Sequence, residues 1–367
     1  MADSTPATGL VVQQWDDQFF TEYLQDFPLI KMMGSDENSV IQVKEDLTKK
    51  KGDVITIALV NRLNNAAVTG TSTLEGNEDE MTSRSFDIQV NKRRNAVRIA
   101  EMSEQKSAIS LRTAAKAVLK DWAMEDTRDL AILALGSING VSFTDSTEAQ
   151  RDAWLVDNAD RVVFGAAAAG LTDASADFAL LDTTADLFTF AVLDAMILKA
   201  KTCAPKIRPV RDLSNGRRYY VALAHPAAFK NLRDSLDTEV LAATSVQAEG
   251  AKLFEGGDIF WNGCIVKECD NIPVYTNLGA SATTEVTPVY LCGAQALGVA
   301  YAKRWRSVTE EFDYGDKHGV AIDGIYAVKK LLFGSGSSDV ADLKDHGVVT
   351  GYVATTAAGN TVGIAAS

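Results

Sequence analysis

The sequence predicts an α+β protein in which a mixed α/β domain is inserted between a long helix and a returning β-hairpin. Three observations carry that prediction. Two runs of alternating apolar residues, Ile55-x-Ile57-x-Leu59 and Phe86-x-Ile88-x-Val90, are separated by the twenty residues Leu63 to Thr82. A helical pattern without proline or glycine runs from Ser103 to Leu135. After residue 139, short strand-like and helix-like runs take turns until a final pair of strand-like runs, Leu297–Arg306 and Val320–Lys329.

Taken in order, the first fifty residues are acidic, with four lysines against nine Asp and Glu. Val12, Trp15, Phe19 and Tyr23 recur at offsets of three and four and give one apolar stripe on a short helix, which Pro28 should end. That stripe packs either on its own core or, as an arm, across a neighbouring subunit. The alternating runs that follow form a hairpin whose loop is long for a compact domain and so reads as a protruding element. Val97 and Ile99 resume the alternation with opposite parity, which predicts a bulge between Asn91 and Ala96. A lone hairpin is marginally stable in water, so one that extends outward needs a partner.

The helix from Ser103 has Ser103 as N-cap, Gly136 as its stop and Ala108, Leu111, Ala115, Val118, Trp122, Leu130 and Leu133 on one apolar face. At 1.5 Å per residue it would be a rod of roughly 45–50 Å. Residues 139–183 read as loops and short pieces. Thr183-Thr-Ala-Asp186 resembles a capping box opening a helix to Lys201. Tyr219–Ala224 is a buried strand, His225-Pro226 turns into a helix, and strands are expected at Cys264–Lys267, Ile272–Tyr275 and Val289–Cys292. Gly334-Ser-Gly-Ser-Ser338 reads as a flexible linker.

Composition excludes several classes. Hydrophobic residues make up 46% and charged residues 23%, the balance of a folded rather than a disordered chain. The net charge of -13 argues against a dedicated nucleic-acid binder, whose footprint is a basic patch. No apolar run approaches the roughly 20 residues of a transmembrane helix, and the N-terminus lacks the pattern of a signal peptide, so a reducing cytoplasm is the expected compartment. Cys203, Cys264, Cys269 and Cys292 fit no disulfide scaffold, zinc site or redox motif and read as free, mostly buried thiols.

No motif carries a reaction or a cofactor: there is no phosphate-binding glycine loop, no nucleophile elbow and no metal-ligand spacing among His225, His318 and His346. Two acid clusters stand out. Glu75, Glu78, Asp79 and Glu80 lie in the long loop, and Glu310, Glu311, Asp313 and Asp316 lie at the late hairpin turn. Three readings remain open for them: solvated loop charge, a carboxylate pair for hydrolysis, or contacts with bases on another copy. Lys92, Arg93, Arg94 and Arg98 are the candidate bases.

The succession of arm, hairpin, helix, inserted domain and returning hairpin resembles the major capsid protein of tailed bacteriophages, the Hong Kong 97-type fold. Words of sequence follow that family in order: Lys51-Gly-Asp-Val-Ile-Thr-Ile57, Leu74-Glu-Gly-Asn-Glu78, Ala96-Val-Arg98, Met102-Ser-Glu-Gln105, Glu310-Glu-Phe-Asp-Tyr-Gly-Asp-Lys-His-Gly-Val320 and Gly324-Ile-Tyr-Ala-Val-Lys-Lys330. The resemblance implies an N-terminal arm (1–50), an extended loop lying over an adjacent subunit (51–100), a peripheral domain with the spine helix (101–204 and 297–333) and an axial domain (205–296). Residues 334–367 are a linker and tail that either packs on the axial domain or reaches a neighbour.

The family assembles as pentamers and hexamers into an icosahedral shell around double-stranded DNA, usually on a scaffolding protein, with a portal at one vertex and in some cases a decoration protein. The resemblance therefore implies no cofactor, no metal, no membrane and only non-specific contact with DNA. It makes Trp15, Phe19, the two acid clusters, Lys92, Arg93 and Arg94 expected contacts between subunits. The competing readings are a carboxylate-based hydrolase and a decoration or adhesin module.

Overall fold

The computed structural model describes residues 27–45, 47, 52–63, 67–70, 73–79, 81–167, 169–211, 216–235, 254–255 and 258–355. The aromatic stripe of Trp15 and Phe19, and Glu80 in the long loop, lie outside the described residues. The chain divides into two compact units. Lys92–Asp126 and Lys303–Ile325 belong to the smaller; residues 27–91, 127–302 and 326–355 belong to the larger.

In chain order, β1 (Met33–Gly34), β2 (Ile41–Lys44), β3 (Val54–Val60), β4 (Ser83–Gln89) and β5 (Asn91–Ala100) lead to α1 (Glu101–Lys106) and α2 (Leu111–Leu135). The middle holds α3 (Glu148–Asp157), β6 (Val162–Phe164), α4 (Ala174–Phe178), α5 (Phe190–Thr202), β7 (Val210–Arg211), β8 (Arg218–Ala224) and α6 (Pro226–Asp234). It continues with β9 (Phe254–Glu255), β10 (Asp258–Trp261), β11 (Cys264–Glu268) and β12 (Glu285–Cys292). The chain closes with β13 (Leu297–Phe312), β14 (Lys317–Lys330), β15 (Leu332–Gly334), β16 (Leu343–Asp345) and β17 (Val348–Thr355).

The larger unit is organised by one sheet with the order β6-β17-β12-β8-β11-β10-β9 and β7 beside β8. Within it β17 pairs with β12, antiparallel over eight residues from Thr355–Glu285 to Val348–Cys292. All eight residues of β17 are buried, as a strand covered on both faces requires. Val349 and Val353 meet Val192, Met196 and Ala200 of α5 on one face. Tyr352 points to the other, where it stacks on Phe164 at 5.4 Å and meets Phe178 edge-on at 4.8 Å. Gly351 lets α5 approach, because a Cβ there would lie 2.8 Å from the sulfur of Met196. The four cysteines are buried in this unit, and burial drives the Cys269 thiol up to about 11 and Cys292 up to about 12.

A buried polar knot ties the C-terminal strands in. Lys330 Nζ pairs with Asp345 Oδ2 at 2.8 Å and donates to Ser137 O at 2.6 Å; both charged side chains are fully buried. Arg161, equally buried, donates to the carbonyls of Asp345 and, at 2.7 Å, of Pro205. Asn158 accepts from Asp345 N and donates to Leu343 O.

Several sequence expectations are corrected. The helix expected from Ser103 is broken: α1 ends at Lys106, the Ser107 hydroxyl accepts from Ile109 N, and α2 begins at Leu111. Serine competes with the helix for its own backbone, and α2 is therefore about 37 Å long. Its buried face carries Ala115, Leu119, Ala123 and Ile132, while Val118 and Leu133 are more than half exposed. The parity switch is not a bulge within one strand. The chain breaks at Val90, whose N–H bonds to Asp53 O, and passes from the β3–β4 pair to a different sheet at β5.

Thr183–Asp186 does not open a helix. The Asp186 carboxylate is taken by Ala166 N and Asp182 N, and α5 starts after Thr189, which caps Val192 N. Residues 139–183 include the ten-residue α3, opened by a Thr147–Gln150 capping box. Ile272–Tyr275 is not a strand; Tyr275 alone bridges Val286. The glycine-serine stretch after Phe333 is a hydrogen-bonded turn rather than a free linker, with Ser335 N to Asp342 O and Gly336 N to Ala341 O.

Candidate assembly surfaces

The first surface is the β3–β4 hairpin. Its strands pair antiparallel from Val54–Gln89 to Val60–Ser83. Period-two alternation sends Ile55, Ile57 and Ile88 to one buried face. Gly298 is the reason that face can lie so close: a Cβ on it would come within 2.8 Å of Ile88 and Leu331 and 3.3 Å of Ile57. The turn between β15 and β16 grips the same hairpin. Arg84 donates to Gly336 O at 2.6 Å, Ser85 Oγ donates to Asp339 Oδ2 at 2.6 Å, and Phe86 meets Phe333 edge-on at 6.4 Å. The hydrogen bond from Ser85 holds the Asp339 carboxyl below its ordinary value.

Beyond that anchored base the hairpin offers apolar groups to solvent. Val60, Leu63, Leu74 and Met81 are 58–70% exposed. The loop tip is itself folded: Asn77 N bonds to Leu74 O at 2.9 Å, Asn77 Nδ2 to Thr73 O at 2.9 Å, and Gly76 N to Glu78 Oε2 at 2.7 Å. Gly76, at φ +85, makes that turn possible. Glu75 and Glu78 are exposed and Asp79 is half-buried.

The second surface is in the smaller unit, where β13, β14 and β5 lie side by side. Lys303 and Arg306 of β13 both bind Asp323 of β14, at 2.8 and 2.7 Å, and hold its carboxyl down to about 2. Trp305 packs edge-on against Trp122 at 5.8 Å, and Gly324 leaves room for its ring. At the tip, Lys317 pairs with Asp313 at 2.7 Å and His318 approaches Glu311 at 3.6 Å. Asp313 and Tyr314 have φ of 56 and 54, and Tyr314 is fully exposed. A bulky residue in the left-handed region presented wholly to solvent was not visible in the sequence, where it sat among ordinary turn residues.

The basic run is split between two tasks. Arg93 pairs with Asp126 at 2.5 Å and Arg98 lies 4.7 Å over the Phe312 ring, so both have partners in their own unit. Lys92 and Arg94 are exposed on β5. Lys317 holds Asp313 below the usual carboxylate range, opposite to what a general acid needs. Among the described residues one carboxylate group, Glu148, Asp152 and Asp173, clusters within 4.8 Å. Two of its members serve as backbone caps, Asp152 for Ala174 N and Asp173 for Ala176 N. No helix among the described residues is long and apolar enough to cross a membrane.

The two surfaces are alike in being anchored strands that carry exposed apolar and charged tips. The chain belongs to the phage capsid protein family, whose model matches residues 5–357; as a capsid protein it is part of the virion. It is 29% identical to the major capsid protein of Pseudomonas phage KPP25, over 93% of this chain and 94% of that one. Its fold is that of the cyanophage Pam1 capsid subunit, with a TM-score of 0.83, 28% identity and coverage of 98% and 100% of the two chains. The capsid of Ralstonia phage GP4 shares the fold at a TM-score of 0.76 and 22% identity, over 97% of this chain and 99% of that one. The architecture is therefore the α+β Hong Kong 97-type fold expected from the sequence.

Proposed function

We propose that this capsid protein is the major shell subunit of its phage, grouped in pentamers and hexamers into an icosahedral container for double-stranded DNA. The observation that carries the proposal is the hairpin anchored at its base and apolar at its exposed tip. Such a surface is stable within a subunit but leaves Leu63, Leu74 and Met81 in water until another copy covers them. The contacts assigned to neighbours are Trp15 and Phe19 of the arm, Glu75, Glu78, Asp79 and Glu80 of the loop, Lys92, Arg93 and Arg94 of β5, and Glu310, Glu311, Asp313 and Asp316 of the late hairpin. Arg93 contributes only if it exchanges Asp126.

Exposed ion pairs contribute about 0–1 kcal/mol each. Many such contacts made at once hold a shell through effective concentration while each remains reversible. The protein acts as a structural component and not as an enzyme, assembles in the host cytoplasm, and works with a scaffolding protein, a portal and a decoration protein. A net charge of -13 suits a wall that encloses DNA without adhering to it. Expressed with its scaffold, the chain should yield closed isometric shells in negative-stain electron micrographs. A compact monomer or small oligomer with no shells would contradict this reading.

A further inference from the structure

One part of the larger unit carries charge opposite to that of the protein. A groove of about 430 Å³ opens between residues 206–209, the start of β8 and the turn between β10 and β11. Its floor is apolar, built from Ile207, Pro209 and Tyr220, and it is fixed: Tyr220 Oη donates to Ile207 O at 3.1 Å and Tyr220 N to Gly263 O at 2.9 Å. Its rim is cationic, with Lys201, Lys206, Arg208 and Arg218 all exposed. Arg208 is matched by Glu37 at 2.8 Å. Among the described residues, Lys201, Lys206 and Arg218 have no carboxylate partner, a concentration of unpaired cations that stands out on a chain of net charge -13.

The loop of the β3–β4 hairpin is the complement of this groove. Its twenty residues, Leu63 to Thr82, hold four acids and no Lys, Arg or His. Its folded tip presents Leu74, 64% exposed, next to Glu75, which has no ionic or hydrogen-bonding partner among the described residues. We propose that the groove receives the Leu74–Glu78 turn of a second copy of this chain, Leu74 against the apolar floor and Glu75 and Glu78 against the cationic rim. The inference rests on the hairpin being an arm between copies, and adds where the arm ends. Complementarity is of two kinds, charge and apolar surface; a DNA phosphate backbone would satisfy the first but leave the floor uncovered. The preformed turn and the fixed floor reduce the ordering cost of docking. The basic run on β5 is the weaker acceptor, because Arg93 and Arg98 are already engaged.

The test is a cross-link in assembled particles. The four native cysteines are buried, so thiols placed by Glu75→Cys and Lys206→Cys are the accessible ones. After mild oxidation the double variant should run as an intermolecular ladder on a non-reducing gel, while each single variant stays monomeric. Particles of the double variant without a ladder would overturn the proposal, as would equal ladders from the single variants.

A charge swap gives an independent arm if the cysteine variants assemble poorly. Lys206→Glu with Arg218→Glu should lower particle yield about tenfold, since loss at every copy is amplified by multivalency. Adding Glu75→Lys and Glu78→Lys to the same chain should restore most of it, with circular dichroism unchanged throughout. Unchanged yield, or normal yield with reduced DNA retention, would overturn the proposal, the latter assigning the groove to nucleic acid. Deleting Leu63–Thr82 separates the two readings. Normal shells from the deletion sink the role of the arm itself. Lost shells together with an absent ladder sink only the groove.

Discussion

Two strands of this protein are rich in apolar residues and differ in how far their own subunit covers them. Strand β17, Val348–Thr355, is buried at every position. Strand β3, Val54–Val60, is buried at Ile55 and Ile57 but open at Val54 and Val60. The first sits between β6 and β12 in the large sheet and follows directly on the buried knot of Lys330, Asp345 and Arg161. The second pairs with β4 alone, is pinned at one end by the β15–β16 turn, and projects its loop into solvent. Apolar content alone does not say how many faces of a strand its own subunit covers.

The largest effect is expected at the buried knot. Asp345→Ala leaves the Lys330 ammonium buried without its partner, and removing one member of such a pair costs about 3–5 kcal/mol. Urea unfolding should show that loss, with little soluble subunit recovered. A wild-type midpoint would mean that the knot does not hold the C-terminal strands.

A smaller effect follows from His346, whose ring meets Phe333 edge-on at 5.1 Å. Burial, with Arg161 and Arg208 nearby, lowers its pKa from 6.5 to about 4. As the pH falls the unfolded chain takes up the proton first, so stability is complete above about pH 6.5 and declines toward pH 4. The decline from pH 7 to pH 5 should be about 2 kcal/mol from this group. His346→Phe should flatten that part of the pH profile relative to wild type; an identical profile would contradict the assignment.

The smallest effect concerns the loop-side end of the hairpin strands, where Arg84 and Ser85 meet the β15–β16 turn. Asp339→Ala removes the acceptor of Ser85 and the ion pair with Arg84 at 3.7 Å. It should leave the unfolding midpoint nearly unchanged and speed hydrogen exchange in β3 and β4. Because Ser85 holds the Asp339 carboxyl below its ordinary value, the wild-type hairpin should loosen in the same way as acid protonates it. Exchange rates insensitive to the substitution would show that this turn does not pin the hairpin.

The sequence made the hairpin legible because its signal is local. Ile55, Ile57, Phe86 and Ile88 alternate within a few residues of one another, and the acid-rich loop between them is visible by composition. It hid the role of β17 because that strand's antiparallel partner, Glu285–Cys292, lies some sixty residues upstream, and Val-Val-Thr-Gly-Tyr-Val-Ala-Thr carries no mark of what it pairs with. Local capping patterns misled where tertiary partners took the side chain: Asp186 serves Ala166 and Asp182 instead of a helix. The acid clusters were found by composition. The cationic groove was not, because Lys201, Lys206 and Arg218 converge only through the packing of α5, β8 and the β10–β11 turn.

In the proposed division of labour, β17 holds the subunit and the β3–β4 loop holds the shell. Deletion of Leu63–Thr82 tests it directly, by thermal unfolding and electron microscopy on the same preparation. The deleted chain should be a folded subunit with a wild-type unfolding midpoint and should form no closed shells. Normal shells from the deleted chain, or a subunit that no longer folds, would contradict it.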